Sequence, residues 1–258
     1  MFHVSFYRFV DVPDPVALGD QLLGLATGLL GTILVAHEGI NGMLAGDAKT
    51  LDDFAFALQS SKVRDGAFAG MMFRRTPCTV APFARLKVKV KPELVPLNVA
   101  GIDVPSRRAD IEASDVDAAG WRALIRRDDV IVLDTRNSFE YDHGHFVGAV
   151  DPGTTDFRDF ASYVRANADE WRATGRTIAM YCTGGIRCEK ASPWMQDLGL
   201  PVRQLRGGIV AYLAETADAD RDWFGDCFVF DDRLLLDGHL VPRATPAEVG
   251  SDGPGEAS

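Results

Sequence analysis

The chain has 258 residues and is 47% hydrophobic, enough for two ordinary domains with real cores. No stretch reaches the roughly 18 apolar residues of a membrane span, and Met1–Arg8 lacks the basic and apolar blocks of a secretory signal. Twenty-seven basic against 37 acidic side chains give a net charge of −10, which argues against a nucleic-acid face spread over the whole surface. Cys78, Cys182, Cys188 and Cys227 show no Cys-x-x-Cys spacing. They read as neither a zinc site nor a disulfide framework, so a cytoplasmic location is expected.

In chain order, Val4–Phe9 reads as a strand. Asp14 is placed to cap a helix through Val16, Leu18, Leu22, Leu23, Leu25 and Ala26, with Pro15 at its first position. Gly31–Ala36 is a second strand. His37 to Gly42 is expected to turn into a third strand over Met43–Ala45, the glycines supplying positive φ. A helix from about Thr50 to Ser60 presents Leu51, Phe54, Ala55 and Leu58 on one face. Strands return at Gly70–Arg75 and Leu86–Val90. The order is β-α-β-β-α-β, a ferredoxin-like α+β unit over residues 1–95.

Charge is unevenly distributed. Residues 62–91 hold Lys62, Arg64, Arg74, Arg75, Arg85, Lys87, Lys89 and Lys91 against one acid, Asp65, whereas the chain from Glu215 onward has eleven acids and three bases. Such a block suits either an RNA-facing surface or a sheet edge kept soluble by lysines. In Leu86-Lys87-Val88-Lys89-Val90-Lys91 the strict alternation sends apolar residues to a helix layer and lysines to solvent or a partner. The proline-marked stretch 96–113 reads as a linker.

From about 114 to 215, strands and helices alternate, which predicts an α/β domain with a mostly parallel sheet. Trp121, Leu124 and Ile125 mark a helix, and Val130–Asp134 a buried strand. A short helix starts around Phe139–Tyr141, and a strand is expected near Ala149-Val150. An amphipathic helix spans roughly Phe157–Trp171, and the strand Thr177–Tyr181 leads into Cys182-Thr183-Gly184-Gly185-Ile186-Arg187-Cys188. A thiol followed by two glycines and a helix start can sit in a nest of backbone N–H groups, which favours thiolate. Free cysteines are often simply buried, but a core strand has no need of Gly-Gly after its last residue. Cys182 is therefore the expected reactive residue. Cys188 is either a packed thiol or a resolving partner. Residues 216–240 form a C-terminal extension, and 241–258, rich in Pro, Gly, Ala, Ser and acids, are expected to be a disordered tail.

Asp134-Thr135-Arg136, Glu140, His145-Phe146-Val147-Gly148-Ala149 and Cys182–Arg187, in this order, resemble the rhodanese fold. Further blocks are Gly31–Gly42, Leu86–Lys89, Cys182–Ser192, Leu205–Ile209 and Cys227–Arg233. With them, residues 2–235 resemble the rhodanese-like tRNA uridine(34) hydroxylases of bacteria. The resemblance implies that Cys182 is the active cysteine, its pocket lined by Thr183, Gly184, Gly185, Ile186 and Arg187. It implies oxygen-dependent hydroxylation of the wobble uridine to 5-hydroxyuridine, an oxidoreductase activity with molecular oxygen as co-substrate and the tRNA anticodon loop as partner. Arg187 is then expected to contact substrate or steady a Cys182 anion, or else to cap loop carbonyls. Asp134, Arg136 and Glu140 are expected to support the fold, Asp134 and Arg136 through a salt bridge. The basic residues Arg74, Arg75, Arg85, Lys87, Lys89 and Lys91 are expected to hold the tRNA backbone. Glu38 and Asn41 either reach substrate or fix their turn.

No flavin, haem or nicotinamide fingerprint and no metal-ligand pattern is recognisable, and no protein partner is evident. The rival function is a sulfurtransferase carrying a persulfide on Cys182, which needs the same low-pKa thiol. A phosphatase of the Cys-x5-Arg type fits poorly, since four residues separate Cys182 from Arg187. A non-catalytic RNA-binding scaffold requires that Cys182 be dispensable.

Overall fold

A computed structural model describes residues 1–243; the expected tail lies, from 244 on, outside the described residues. The chain opens with β1 (Phe2–Phe9), α1 (Pro15–Leu25), β2 (Leu30–Ala36), β3 (Gly39–Gly46), α2 (Ala48–Leu58), β4 (Arg74–Pro77) and β5 (Leu86–Val90). These strands form one sheet in the order β4-β1-β3-β2-β5. All neighbours are antiparallel except β2 and β5, so β5 extends the ferredoxin-like order by one parallel edge strand. Asp14 caps α1 by accepting from the N–H groups of Val16 and Ala17, and Asp47 caps α2 through Thr50. Leu18, Leu22, Leu51, Phe54 and Leu58 from the helices bury against Val4, Phe6, Ile33, Val35 and Leu44 on one sheet face.

The turn after β2 is shorter than expected. It occupies only His37-Glu38, and Gly39–Gly42 already belongs to β3. Gly39 keeps a positive φ of 141°, but Gly42 is required for space, since a Cβ there would press on the Phe6 ring. β4 starts at Arg74, four residues later than the apolar run Gly70–Phe73 suggested.

The second region contains α3 (Arg108–Ser114), β6 (Asp115–Val116), α4 (Ala118–Leu124), β7 (Val130–Asp134), α5 (Ser138–His143), β8 (Gly144–Phe146), α6 (Phe157–Thr174), β9 (Thr177–Tyr181), α7 (Ile186–Asp197), β10 (Val202–Leu205), α8 (Gly208–Glu215), β11 (Trp223–Gly225), β12 (Cys227–Phe228) and β13 (Leu235–Leu236). A parallel sheet runs β6-β10-β9-β7. The strand expected near Ala149-Val150 is instead β8, because Gly148 turns the chain at φ 76° and leaves Val150 a single bridge to Leu133.

The stretch 96–113 is a packed connection, not a free linker. Leu97, Val104 and Ile111 join Tyr7, Phe9, Leu34 and Ala36 from the free face of the first sheet in one core with Cys182, Ala191 and Met195. The two domains thus share buried surface. The C-terminal extension ties them again: β11 pairs with β8, the Asp232 N–H donates to Pro82 O, and Arg233 donates to Thr76. Pro242 and Arg243, placed with the tail on composition, are bound here by a bridge to Leu236 and an ion pair with Asp226.

Candidate active site

β9 delivers Cys182 to the C-terminal edge of the parallel sheet, where open α/β sheets place their sites. Gly185, at φ 102°, forms the N-cap of α7 and donates its N–H to Cys182 Sγ at 3.0 Å. The N-terminus of α8 closes over the loop, with the N–H groups of Ile209 and Val210 donating to the carbonyls of Cys182 and Thr183. Gly208 makes this approach possible, since any Cβ would collide with those two carbonyls. Burial raises the Cys182 thiol pKa. A hydrogen bond from Cys188, the charge of Arg187 and the N–H groups of Arg187 and Cys188 outweigh it and hold Cys182 well below an ordinary thiol. Cys188 is pushed the other way, by burial and by the charge of Cys182, and also lies 3.5 Å from Thr135 Oγ1. The two neighbouring thiols are thus driven in opposite directions, Cys182 toward the anion and Cys188 toward the protonated form.

Arg187 caps no loop carbonyl. Its guanidinium makes two 2.7 Å bonds to the buried carboxylate of Glu140, whose pKa burial raises and Arg187 lowers more. Arg187 therefore acts on Cys182 through its field, from a fixed position. Asp134 and Arg136 form a fully buried pair, with Arg136 also donating to Gly144 O and thereby fixing the start of β8.

The first domain supplies the other wall. Cross-strand partners share a face, so one row on the free face runs Arg74, Ser5, Met43, Thr32, Lys87, and the next runs Tyr7, Asn41, Leu34, Lys89. Arg74 reaches the loop and donates to Gly184 O at 3.1 Å. Tyr7 donates to Glu189 Oε1 at 2.6 Å, and a Cβ on Gly185 would sit 2.7 Å from the Tyr7 hydroxyl. Glu38 is engaged by the fold: it pairs with buried Lys190 and accepts from the Leu94 N–H, while Glu93 forms a second ion pair with Lys190 at 3.1 Å. Asn41 lies on the free face beside Tyr7.

The basic block does not form a single face, which corrects the expected docking surface. Arg75 lies on the helix side of the sheet, paired with Asp52, and Arg64 is spent on the Asp11 carbonyl. Arg85, Lys87, Lys89 and Lys91 stay together and exposed along β5, about 19 Å across the sheet from Arg74, at strand spacings of ~4.8 Å. Tyr7, Glu189, Lys190 and Glu93 were missed by sequence reasoning. The signal available was the second face of β1: Ser5, Tyr7 and Phe9 alternate with Val4 and Phe6, and an apolar-rich second face means a covered sheet.

A cavity of about 370 Å³ lies along the seam beside Glu189, lined by Phe9, Val104, Arg108, Ile111, Asp115 and Arg206 among others. Among the described residues, no three His, Cys, Asp or Glu side chains are grouped as a metal site, and no helix is long and apolar enough to cross a membrane.

Residues 1–94 match the UPF0176 acylphosphatase-like domain, and residues 118–215 match the rhodanese-like domain. The chain is 43% identical to a protein of Bradyrhizobium diazoefficiens named tRNA uridine(34) hydroxylase, over 91% of each chain. A protein of that name from Nitrobacter hamburgensis is 41% identical over 98% of each chain, and one from Anaplasma marginale is 40% identical over 92% of this chain and 83% of its own.

Proposed function

Because the chain belongs to the tRNA uridine(34) hydroxylase family, we propose that it hydroxylates uridine 34 of tRNA at carbon 5, giving 5-hydroxyuridine with dioxygen as co-substrate. One oxygen atom enters the C5–H bond and the other leaves as water, so each turnover consumes two electrons and two protons from a reductant. The tRNA substrate and the four free cysteines fit a cytoplasmic enzyme.

The observation that carries this function is the Cys182 sulfur in its N–H cradle under a roof from the other domain. The Gly185 N–H and the Arg187 charge stabilise the anion, while Tyr7 and Arg74 hold the first domain over the loop. Carbon 5 of a uracil is reachable only when the base is unstacked, which suits a single-stranded anticodon base entering this seam. Arg85, Lys87, Lys89 and Lys91 supply positive charge for the backbone on an otherwise acidic protein.

The test is nucleoside mass spectrometry of unmodified tRNA incubated in air with reductant and either the wild type or Cys182→Ser. A uridine one oxygen heavier, made by the wild type alone, is the expected result. No new nucleoside, together with cyanide-dependent thiocyanate release, would replace the hydroxylase with a persulfide carrier.

A further inference from the structure

Two phenylalanines stand exposed beside the Cys182 loop: Phe139 at 42% and Phe230 at 51%. Phe228 lies between them, edge-on to Phe139 at 5.0 Å and to Phe230 at 5.1 Å, with His143 stacked on it at 6.1 Å. The rings are coupled to the site itself. The Arg187 guanidinium sits 5.8 Å from the Phe230 ring centre, and its partner Glu140 directly follows Phe139. Val229, just past β12, is buried at 6% exposure and leaves Phe230 exposed beside a packed neighbour.

What sets these rings apart from other exposed apolar side chains is their clustering around Phe228 beside the Arg187–Glu140 pair. Resting on the function proposed above, we propose that Phe139, Phe228 and Phe230 form a stacking platform for the unpaired nucleotides next to the target uridine. A base drawn out towards Cys182 leaves its neighbours short of stacking partners, and aromatic faces next to an arginine plane replace them. Phe230 packs on Arg187 and Phe139 adjoins Glu140, so the rings stand over the ion pair that flanks the Cys182 loop. Asp231 beside it is neutralised by two bonds from Arg233, and Asp232 is exposed. That charge repels phosphates, so the rings meet base faces and not the backbone.

The test compares wild type, Phe230→Leu, Phe230→Trp and Phe139→Leu for binding to a fluorescent anticodon stem-loop and to a blunt RNA duplex. The leucine variants should lose about tenfold for the stem-loop, with duplex binding and the salt slope unchanged, and tryptophan should restore affinity. Equal stem-loop affinity in wild type and both leucine variants overturns the platform. So does an equal loss on duplex, or a change in oligomeric mass with RNA binding intact, which would mark a self-association surface. Binding is read without turnover. A wild type that makes no 5-hydroxyuridine, yet discriminates as described, therefore defeats the hydroxylase and leaves the platform standing.

Discussion

The Tyr7 hydroxyl donates a 2.6 Å hydrogen bond to Glu189, so the first strand of the chain grips the helix that begins at the Cys182 loop. Burial lifts the Glu189 carboxyl to about 7, against a smaller lowering from the Tyr7 bond. A carboxyl raised in the folded state contributes stability that is complete below its unfolded pKa of about 4.3 and is lost as pH rises through 7. Glu189→Gln removes the half-buried charge and keeps an acceptor for Tyr7. It should raise the melting temperature at pH 8 and leave it unchanged at pH 4. An equal effect at both pH values would mean that packing, not ionisation, is responsible.

Cys182 should stay ionised well below the usual thiol range. A free thiol of pKa about 8.5 is only about 1% thiolate at pH 6.5. The ultraviolet thiolate absorbance lost in Cys182→Ser should still be near its full value there. Arg187→Leu should move that titration upward, because it removes a positive charge and leaves Glu140 buried with its negative charge. An unmoved titration would show that the loop N–H groups suffice.

Arg136→Leu leaves Asp134 as an unpaired charge in a fully buried place. Breaking one partner of such a pair costs about 3–5 kcal/mol, which urea unfolding would read as a large drop in midpoint. A loss below 1 kcal/mol would mean water reaches Asp134.

Lys190 bridges Glu38 and Glu93 across the domain seam. Lys190→Met leaves two like charges facing each other, so amide exchange at Leu94 and Val95 should speed up markedly. Glu38→Gln combined with Lys190→Met should recover part of the protection, since the repulsion is removed. Exchange that ignores both changes would show that the shared apolar core alone closes the seam.

Lys87→Glu with Lys89→Glu should weaken tRNA binding at low salt and flatten its dependence on salt by about two phosphate contacts. Arg75→Glu should not, because Arg75 already serves Asp52 on the far face. Equal losses from both would return the docking surface to the helix side.

The local signals in the sequence determined a great deal. Pro15 behind Asp14, the period-two run 86–91 and the apolar strand ending in Cys-Thr-Gly-Gly act over a few residues, and each appears where its chemistry demands. The cysteine cradle was legible for the same reason: its glycines and N–H donors are contiguous with the thiol. What surrounds that cradle was decided by tertiary structure alone. Tyr7 meets Glu189, Glu38 meets Lys190 and Arg74 meets Gly184 across more than a hundred residues each, and no spacing rule encodes such partners. Charge counting failed on the basic block for a related reason. Adjacent residues in a strand point to opposite faces, so Arg74 and Arg75 part company at the backbone, one to the site and one to the helices.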